Sequence, residues 1–381
     1  MTLSPEAASG SDPFALRLEK LREAMSRAGV DVTVVTAGAD LVWLCGYEAM
    51  PLERMTALVV PSDREVATLV VPRLEAARVR LRTPAVEVAV WQEVDDPFDL
   101  VASLVHRPST VAAGDEMWAR FLLELMSRWS SATWIPASRL TGPLRARKEP
   151  AEIEWLRRAA RAADEVVAAL GSGEVRLVGR READVAREIA ERLVAAGHER
   201  ASFVIVASGP NSASPHHEPG DRTIGRGEVV LCDFGGFVRD EHGVPWCSDV
   251  TRCLVTGTVP DEVLHVWRRL QMANAAAVGV AAKGVAACAV DRAARKVLEG
   301  EGLASHFVHR TGHGIGVAVH EHPYIVADNE EELEVGNVFS VEPGVYFEGE
   351  WGLRLEDIVA VRADGAEVLT GSPRHLMETE S

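Results

Sequence analysis

The sequence predicts two domains, a smaller α/β domain at the amino terminus and a larger α+β domain after it, on three observations. A chain of 381 residues is too long for one small core. Its first third interleaves strand-like and helix-like patterns, the texture of an α/β layer domain. From about residue 145 the order becomes a pair of helices followed by antiparallel-looking strands, twice over. That order suits helices covering one face of a curved sheet.

The first residues, "MTLSPEAASGSDP", lack a basic segment and an apolar segment and read as a frayed tail rather than a signal peptide. "DPFALRLEKLREAMSRAGV" is an amphipathic helix that ends at Gly29. "VDVTVVTA" and "LVWLCGY" are β-rich runs, and "MTALVVPSDREVATLVV" reads as a hairpin around a polar turn. "VEVAVWQEV" and "TVAAGDE" add short strands, and "MWARFLLELMSRW" adds a helix. Gly142 and Pro143 then punctuate, Arg145, Arg147 and Lys148 form a basic cluster, and Pro150 opens a long helix at a first-turn position. The boundary is therefore placed close to residue 145, giving domains 1–145 and 146–381.

In the second domain, helices run to about Leu170 and from about Arg181 to Ala196. The strands "SFVIVAS", "EVVLCDFGG" and "TRCLVTG" follow, with a loop rich in Gly, Pro, Asn and His after the first. Two further helices start at Pro260 and near Gly284. The last quarter is expected as strands in "GHGIGVAVHE", "NVFSVEPGVYF" and "LRLEDIVAV".

Composition narrows the function. Apolar content of 47% and charged content of 25% are ordinary for a globular protein. A net charge of −17 argues against nucleic acid or an anionic membrane as partner. No run of about 18 apolar residues is present to span a bilayer. The five cysteines (Cys45, Cys232, Cys247, Cys253 and Cys288) are odd in number and form no CxxC pair, so a reduced, cytoplasmic setting is expected. Cys232, Cys247 and Cys253 lie in or beside strand-like runs and read as small core residues rather than nucleophiles. No P-loop occurs, and the glycines of "GHGIG" do not form a dinucleotide fingerprint.

The chemistry gathers in the second domain. "HRTGHGIGVAVHEHP" holds four of the twelve histidines, with Gly312, Gly314 and Gly316 among them. Five stretches each place a metal-binding side chain on or beside a strand: Asp233 in "LCDFGG", Asp249 in "CSDVTR", His313 in "TGHGIG", Glu342 in "SVEPGVY" and Glu356 in "RLEDIV". Four carboxylates and one imidazole are too acidic a set for structural zinc and too poor in histidine for a single catalytic zinc. They suit two adjacent divalent ions of the manganese, cobalt or iron type, bridged by carboxylates. Glycines around His313 would let its strand approach the ions without side-chain crowding. Each stretch alone is weak, and any one residue read singly is more often structural. Together, in this order, they are a strong signal.

That order, D…SDVTR…GHGIG…VEPG.Y…RLED, resembles the pita-bread metallopeptidases, the group of Xaa-Pro dipeptidase (prolidase), aminopeptidase P, methionine aminopeptidase and creatinase. The likeness is detailed over roughly residues 145 to 375. The first third is similar only in general pattern to the amino-terminal domain of the prolidase, aminopeptidase P and creatinase branch. The resemblance implies a carboxy-terminal pita-bread domain with a smaller creatinase-like α/β domain before it. It implies that Asp233 and Asp249 bind one ion and His313 and Glu342 the other, with Asp249 and Glu356 bridging. His216 would lie near the substrate carbonyl and His320 would touch the substrate and the tetrahedral intermediate. Glu342 would pass a proton to the leaving nitrogen, and Tyr346 and Arg354 would support the ligands. Two residues before Glu356 on an expected strand, Arg354 should share its face and orient it. His217 has no family counterpart, and His309 and His322 are expected as loop or rim residues.

The implied activity is hydrolysis of Xaa-Pro bonds by a dinuclear-metal exopeptidase using a metal-bridging hydroxide, first of all an Xaa-Pro dipeptidase. Two divalent ions are implied, manganese first, with cobalt or zinc as alternatives. The expected partners are short proline-containing peptides and a second copy of the chain, with no nucleic acid and no membrane. Alternatives are aminopeptidase P acting on longer peptides, an ectoine-type amide hydrolase, and a non-catalytic binding protein on the same fold. Two departures stand out. The insert "GFVRDEHGVPWC" is longer than the family leads one to expect and brings spare acids, Asp240 and Glu241. Tyr324 follows "VHEHP" where many prolidase-like members carry an arginine, and Arg222, Arg310 or Arg354 would have to stand in.

Overall fold

Asp12 opens the first described helix, α1 (Pro13–Ala28), by accepting backbone bonds from Phe14 (3.0 Å) and Ala15 (3.2 Å) on its side chain. A computed structural model describes residues 12–379, so the tail expected before Asp12 lies outside the described residues. Gly29, left-handed at φ 66°, closes the helix. There follow β1 (Val32–Thr36), α2 (Ala39–Cys45), β2 (Ala57–Pro61), β3 (Ala67–Pro72), α3 (Arg73–Ala76) and β4 (Val86–Trp91). Next come α4 (Pro97–Leu104), β5 (Thr110–Ala113), α5 (Ala119–Arg128), β6 (Thr133–Pro136) and α6 (Ser138–Ala146). The strands form one mixed sheet in the order β4-β3-β2-β1-β5-β6, and β2 and β3 make the expected hairpin. Val32 and Val34 of β1 pack with Phe98 and Val101 of α4 and Phe121 and Leu125 of α5.

One expectation fails here. The run "LVWLCGY" is helix α2, not strand. Five consecutive buried residues, Leu41 to Cys45, carry no period that separates a buried strand from a buried helix.

The chain divides into two compact units, Met1–Leu144 with Glu241–Val244, and Arg145–Asp240 with Pro245–Ser381. The second unit opens with α7 (Pro150–Gly171), whose first turn is fixed by a capping box between Glu149 and Glu152 and by Pro150. It continues through α8 (Glu182–Ala195), β7 (Arg200–Ser208), β8 (Val229–Arg239), β9 (Pro245–Cys247), β10 (Val250–Thr256), α9 (Asp261–Val280) and α10 (Ala287–Glu299). The strands β11 (Gly312–Gly314), β12 (Glu321–Ile325), β13 (Val338–Val341), β14 (Gly344–Phe347) and β15 (Trp351–Arg354) come next. It ends with β16 (Asp357–Arg362), β17 (Gly365–Val368) and β18 (Met377–Thr379). One sheet runs β18-β10-β8-β7 with β9 on β8, and a second runs β12-β11-β13-β16-β17.

Strand alternation decides where the acids point. Val230, Cys232 and Phe234 of β8 pack with Val167, Leu170, Val185 and Ile189 of α7 and α8. Val229 and Leu231 face the other way, into the core beneath α9 and α10, and Asp233 shares their parity. The same rule puts Thr251, Cys253 and Val255 of β10 on the face of Asp233, and Thr251 is its register partner. All five cysteines are buried and unpaired. No helix among the described residues is long and apolar enough to cross a membrane.

Three runs expected as continuous strands are interrupted, each at a residue of the site. Only Gly312–Gly314 of "GHGIGVAVHE" begins as strand, and residues 315–320 turn before β12. "NVFSVEPGVYF" breaks at Glu342 and Pro343, where the proline has no N–H for the ladder, and "LRLEDIVAV" breaks at Leu355 and Glu356.

Candidate metal centre

The five expected donors come together, from five separate places in the second unit. Asp233 lies on β8 and Asp249 just before β10; His313 lies on β11, Glu342 just after β13, and Glu356 between β15 and β16. Donor atoms within 4.8 Å of one another form three groups: Asp233, Asp249 and Glu356; His313, Glu342 and Glu356; and Asp249, His313 and His320. Asp249, His313 and Glu356 thus each belong to two groups. Asp233, Asp249, His313 and Glu342 line a cavity of about 550 Å³ whose apolar wall is Phe203, Ile205, Pro215 and Val319, and Glu356 lies behind them.

Close backbone contact builds this convergence. A Cβ on Gly312 would sit 1.8 Å from the Ser340 carbonyl oxygen, and one on Gly314 would sit 2.1 Å from that of His322. The crowding that glycine relieves is therefore between strands, rather than at the ions as the sequence led us to expect. Elsewhere, buried Arg252 on β10 pairs with buried Asp357 on β16 (2.8 Å) and donates to the Glu356 carbonyl. The two sheets are tied directly beside Asp249 and Glu356.

The electrostatics call for cations. Burial, then the charges of Glu356, Asp233 and Glu342, push the Asp249 carboxyl well above its ordinary value. Burial, then Glu342 and Asp233, do the same to Glu356. Burial also raises Asp233, with Arg354 opposing. Glu342 differs: burial would raise it, but its hydrogen bond to His313 and the charges of His313, His309 and Arg354 bring it down to about 2. Asp233 Oδ1 is buried and has no hydrogen-bond partner, although buried carboxylate oxygens are normally satisfied. His313 Nδ1 lies 3.1 Å from the Gly314 carbonyl and donates to it, while Nε2 faces Glu342 (3.2 Å) and Asp249 (3.7 Å), donating to Glu342 in the metal-free fold and turned to offer its lone pair to a cation there. An imidazole nitrogen and an orphaned carboxylate oxygen, among buried acids that raise one another until a cation relieves them, are donors suited to divalent cations.

Other expected residues fall as follows. His216 and His320 both line the cavity. His320 also packs against His313, with ring centres 3.9 Å apart and the rings tilted by 50°. His309, expected as a rim residue, lines the cavity and lies 2.9 Å from the Tyr346 hydroxyl. His322 does not line it and packs against Tyr324. Asp240 accepts from Trp246 Nε1 (3.0 Å), and neither it nor Glu241 belongs to a donor group.

The role expected of Arg354 needs correction. It makes no hydrogen bond to Glu356, because the strand breaks between them. Instead it donates to Asp233, to the Tyr346 hydroxyl (2.8 Å), to Thr251 Oγ1 (3.0 Å) and to the Pro215 carbonyl (3.3 Å).

Sequence reasoning passed over Thr251 and Glu182. Thr251 Oγ1 donates to Glu356 (2.8 Å) while accepting from Arg354, so it orients the glutamate in Arg354's place. Its position two residues after Asp249 was the available signal. Glu182, fully buried at the start of α8, accepts from the Ser208 amide and hydroxyl (2.7 Å each), from Asn211 and from His217 Nε2 (2.8 Å). It thereby ties down the loop that carries Pro215 and His216. Its partners lie 26 to 35 residues away, and no local pattern marks them.

Two protein families match the chain: metallopeptidase family M24 over residues 154–363 and the creatinase/prolidase N-terminal domain over residues 17–147. The chain is 42% identical over 371 residues to the probable dipeptidase PepE of Mycobacterium tuberculosis, across 96% of this chain and 97% of that protein. It is similar in structure to the dipeptidase PepE from Mycobacterium ulcerans (TM-score 0.89, 42% identity, 96% and 98% of the two chains). The prolidase from Thermococcus sibiricus is also similar (TM-score 0.88, 32% identity, 97% and 100%).

Proposed function

The chain belongs to metallopeptidase family M24, and on that premise we propose that it is a two-metal exopeptidase hydrolysing Xaa-Pro bonds, an Xaa-Pro dipeptidase. The observation that carries the reading is the convergence of five donors, four of them lining a cavity of peptide size. Asp233 and Asp249 would hold one ion and His313 and Glu342 the other, with Asp249 and Glu356 shared between them: Glu356 falls in a donor group with each pair, and Asp249 in one with Asp233 and another with His313. Bound there, two divalent cations acidify a water at neutral pH and polarise the scissile carbonyl.

The chain's own groups supply the rest. Glu342, held ionised down to about 2, takes a proton on Oε2, the oxygen that Ser340 leaves free, and hands it to the leaving nitrogen. His216 and His320, both on the cavity wall, donate to the developing oxyanion. Loss of one such donor costs about 3–4 kcal/mol in transition-state stabilisation. Thr251 holds Glu356 in orientation, and the Arg354–Tyr346–His309 chain fixes the side of the cavity next to Asp233. The Xaa-Pro nitrogen carries no hydrogen, so a site that reads that N–H rejects it. The apolar wall of Phe203, Ile205, Pro215 and Val319 receives the ring without asking for one.

Manganese is the first candidate for the ion, since carboxylate-rich sets with one imidazole suit it. A cytoplasmic setting is supported by five unpaired thiols, and a homodimer by the family resemblance alone. The test is hydrolysis of Ala-Pro and Gly-Pro with manganese, cobalt or zinc, and again after chelation. Activity is expected with metal and lost without it; full turnover by metal-free protein rejects the proposal. Peptides of two to five residues in the same assay separate a dipeptidase from an aminopeptidase.

A further inference from the structure

We propose that Arg310 grips the C-terminal carboxylate of a dipeptide substrate, and that Tyr324 holds its guanidinium in place to do so. This rests on the dipeptidase reading and names the group that makes the site prefer two residues to more.

Of the three arginines available, two are already engaged. Arg222 is bonded to both oxygens of Glu228 (2.8 and 2.6 Å) and to Ser208, and does not line the cavity. Arg354 lines it but is buried, and all three of its guanidinium nitrogens are committed to Thr251, Tyr346, Pro215 and Asp233. Arg310 also lines the cavity and is half-buried. Among the described residues its side chain has neither an acid partner nor a hydrogen bond; it lies over the ring of Tyr324, at 4.5 Å from the ring centre, and its charge is felt by His320 on the same cavity wall.

The fold sets where that cation stands. Tyr324 on β12 is the register partner of His313 on β11. Directly opposed residues of an antiparallel pair project on the same face, so the ring rises beside the metal-binding imidazole. A guanidinium held over that ring is carried to the same side, with its N–H groups left without a hydrogen-bond acceptor among the described residues. Tyr324 is itself steadied, by His322 packed at a tilt with ring centres 4.9 Å apart and by Asn329 donating to its carbonyl (2.7 Å).

Substrate chemistry supplies the matching charge. In a dipeptide the carboxyl carbon lies two bonds beyond the scissile nitrogen, so a carboxylate must sit close to wherever that bond is cut. A half-buried carboxylate without a partner loses its hydration uncompensated. The planar fork of an arginine satisfies both of its oxygens. In a longer peptide that position is a neutral amide, which offers one oxygen and no charge.

The test is steady-state kinetics of the manganese-loaded full-length protein on Ala-Pro, Ala-Pro amide and Ala-Pro-Ala. Wild type should favour Ala-Pro. Arg310→Met should raise the KM for Ala-Pro by about 10- to 100-fold, the range for a charge-assisted pair. It should raise the KM for the amide far less, so that the ratio of the two collapses. Arg310→Lys, which keeps the charge but not the fork, should restore part of the preference, and Tyr324→Leu should erode it. Competitive inhibition by free proline, compared with prolinamide, should lose its preference for the acid in Arg310→Met. An equal loss on Ala-Pro and its amide, or no change on Ala-Pro, overturns the role of Arg310. Failure of wild type to cleave any of the three peptides overturns the dipeptidase reading as well.

Discussion

Thr251 is a small neutral residue between two charged ones, and its hydroxyl donates to the Glu356 carboxylate while also accepting from Arg354. Thr251→Val keeps the shape and removes both bonds. Manganese affinity or turnover of Ala-Pro is expected to fall about 10- to 100-fold, the usual effect of losing a partner behind a ligand. Metal content of the purified variant and its kcat together check this. The acids around it predict a pH dependence with a definite sign. Asp249 and Glu356 titrate above their unfolded values in the metal-free fold, so their protonated forms favour folding. That contribution is full below the ordinary carboxylate range and is lost as the pH rises through the elevated values. Glu342 runs the other way: its contribution is present above 4.5 and fades as the pH falls towards about 2. Metal-free protein should therefore lose stability from about pH 5 to pH 8 relative to its metal-loaded form, and manganese should bind more tightly at the higher pH. Thermal unfolding at both pH values, with and without manganese, measures the difference.

At the scale of elements, the site depends on loops held from behind. Glu182 at the head of α8 anchors the turn that carries Pro215 and His216 through Ser208, Asn211 and His217. Glu182→Gln substitutes an amide for an oxygen that accepts three bonds, which should cost about 1–3 kcal/mol of stability. It should also lower kcat/KM for Ala-Pro by about tenfold or more through displacement of His216. Chemical denaturation and steady-state kinetics read the two effects separately. Elements also show what was legible in the sequence. Strands β8 and β10 could be read because they are short runs rich in β-branched and apolar residues bounded by turn residues, and Asp233 stood out as a charge inside such a run. Helix α2 could not, since its apolar run has no period. The breaks at Glu342 and Glu356 hid the true partner of Arg354, because a parity argument holds only while the strand is unbroken. Glu182 was invisible for a different reason: its role is created by contacts distant in the chain.

Taken as a whole, every donor of the candidate centre lies in the second unit, and the first contributes a separate core of its own. Manganese should thus slow amide exchange in residues 231–235, 249–253, 312–314, 340–342 and 353–357, where ligands would be pinned. No comparable change is expected in residues 12–144. Mass-spectrometric hydrogen exchange with and without metal checks this, and equal protection in both units would contradict it. The buried thiols add a practical corollary. Burial pushes Cys45 and Cys253 up to about 12 and shifts Cys232 and Cys247 upward as well, so neither access nor ionisation favours attack by a thiol reagent. A colour-forming disulfide should stay silent on the folded chain and report each opening event as it occurs. The molecule therefore carries its own clock for unfolding, and an enzyme slowly inactivated by such a reagent is one that has come apart, with no nucleophilic sulfur at work.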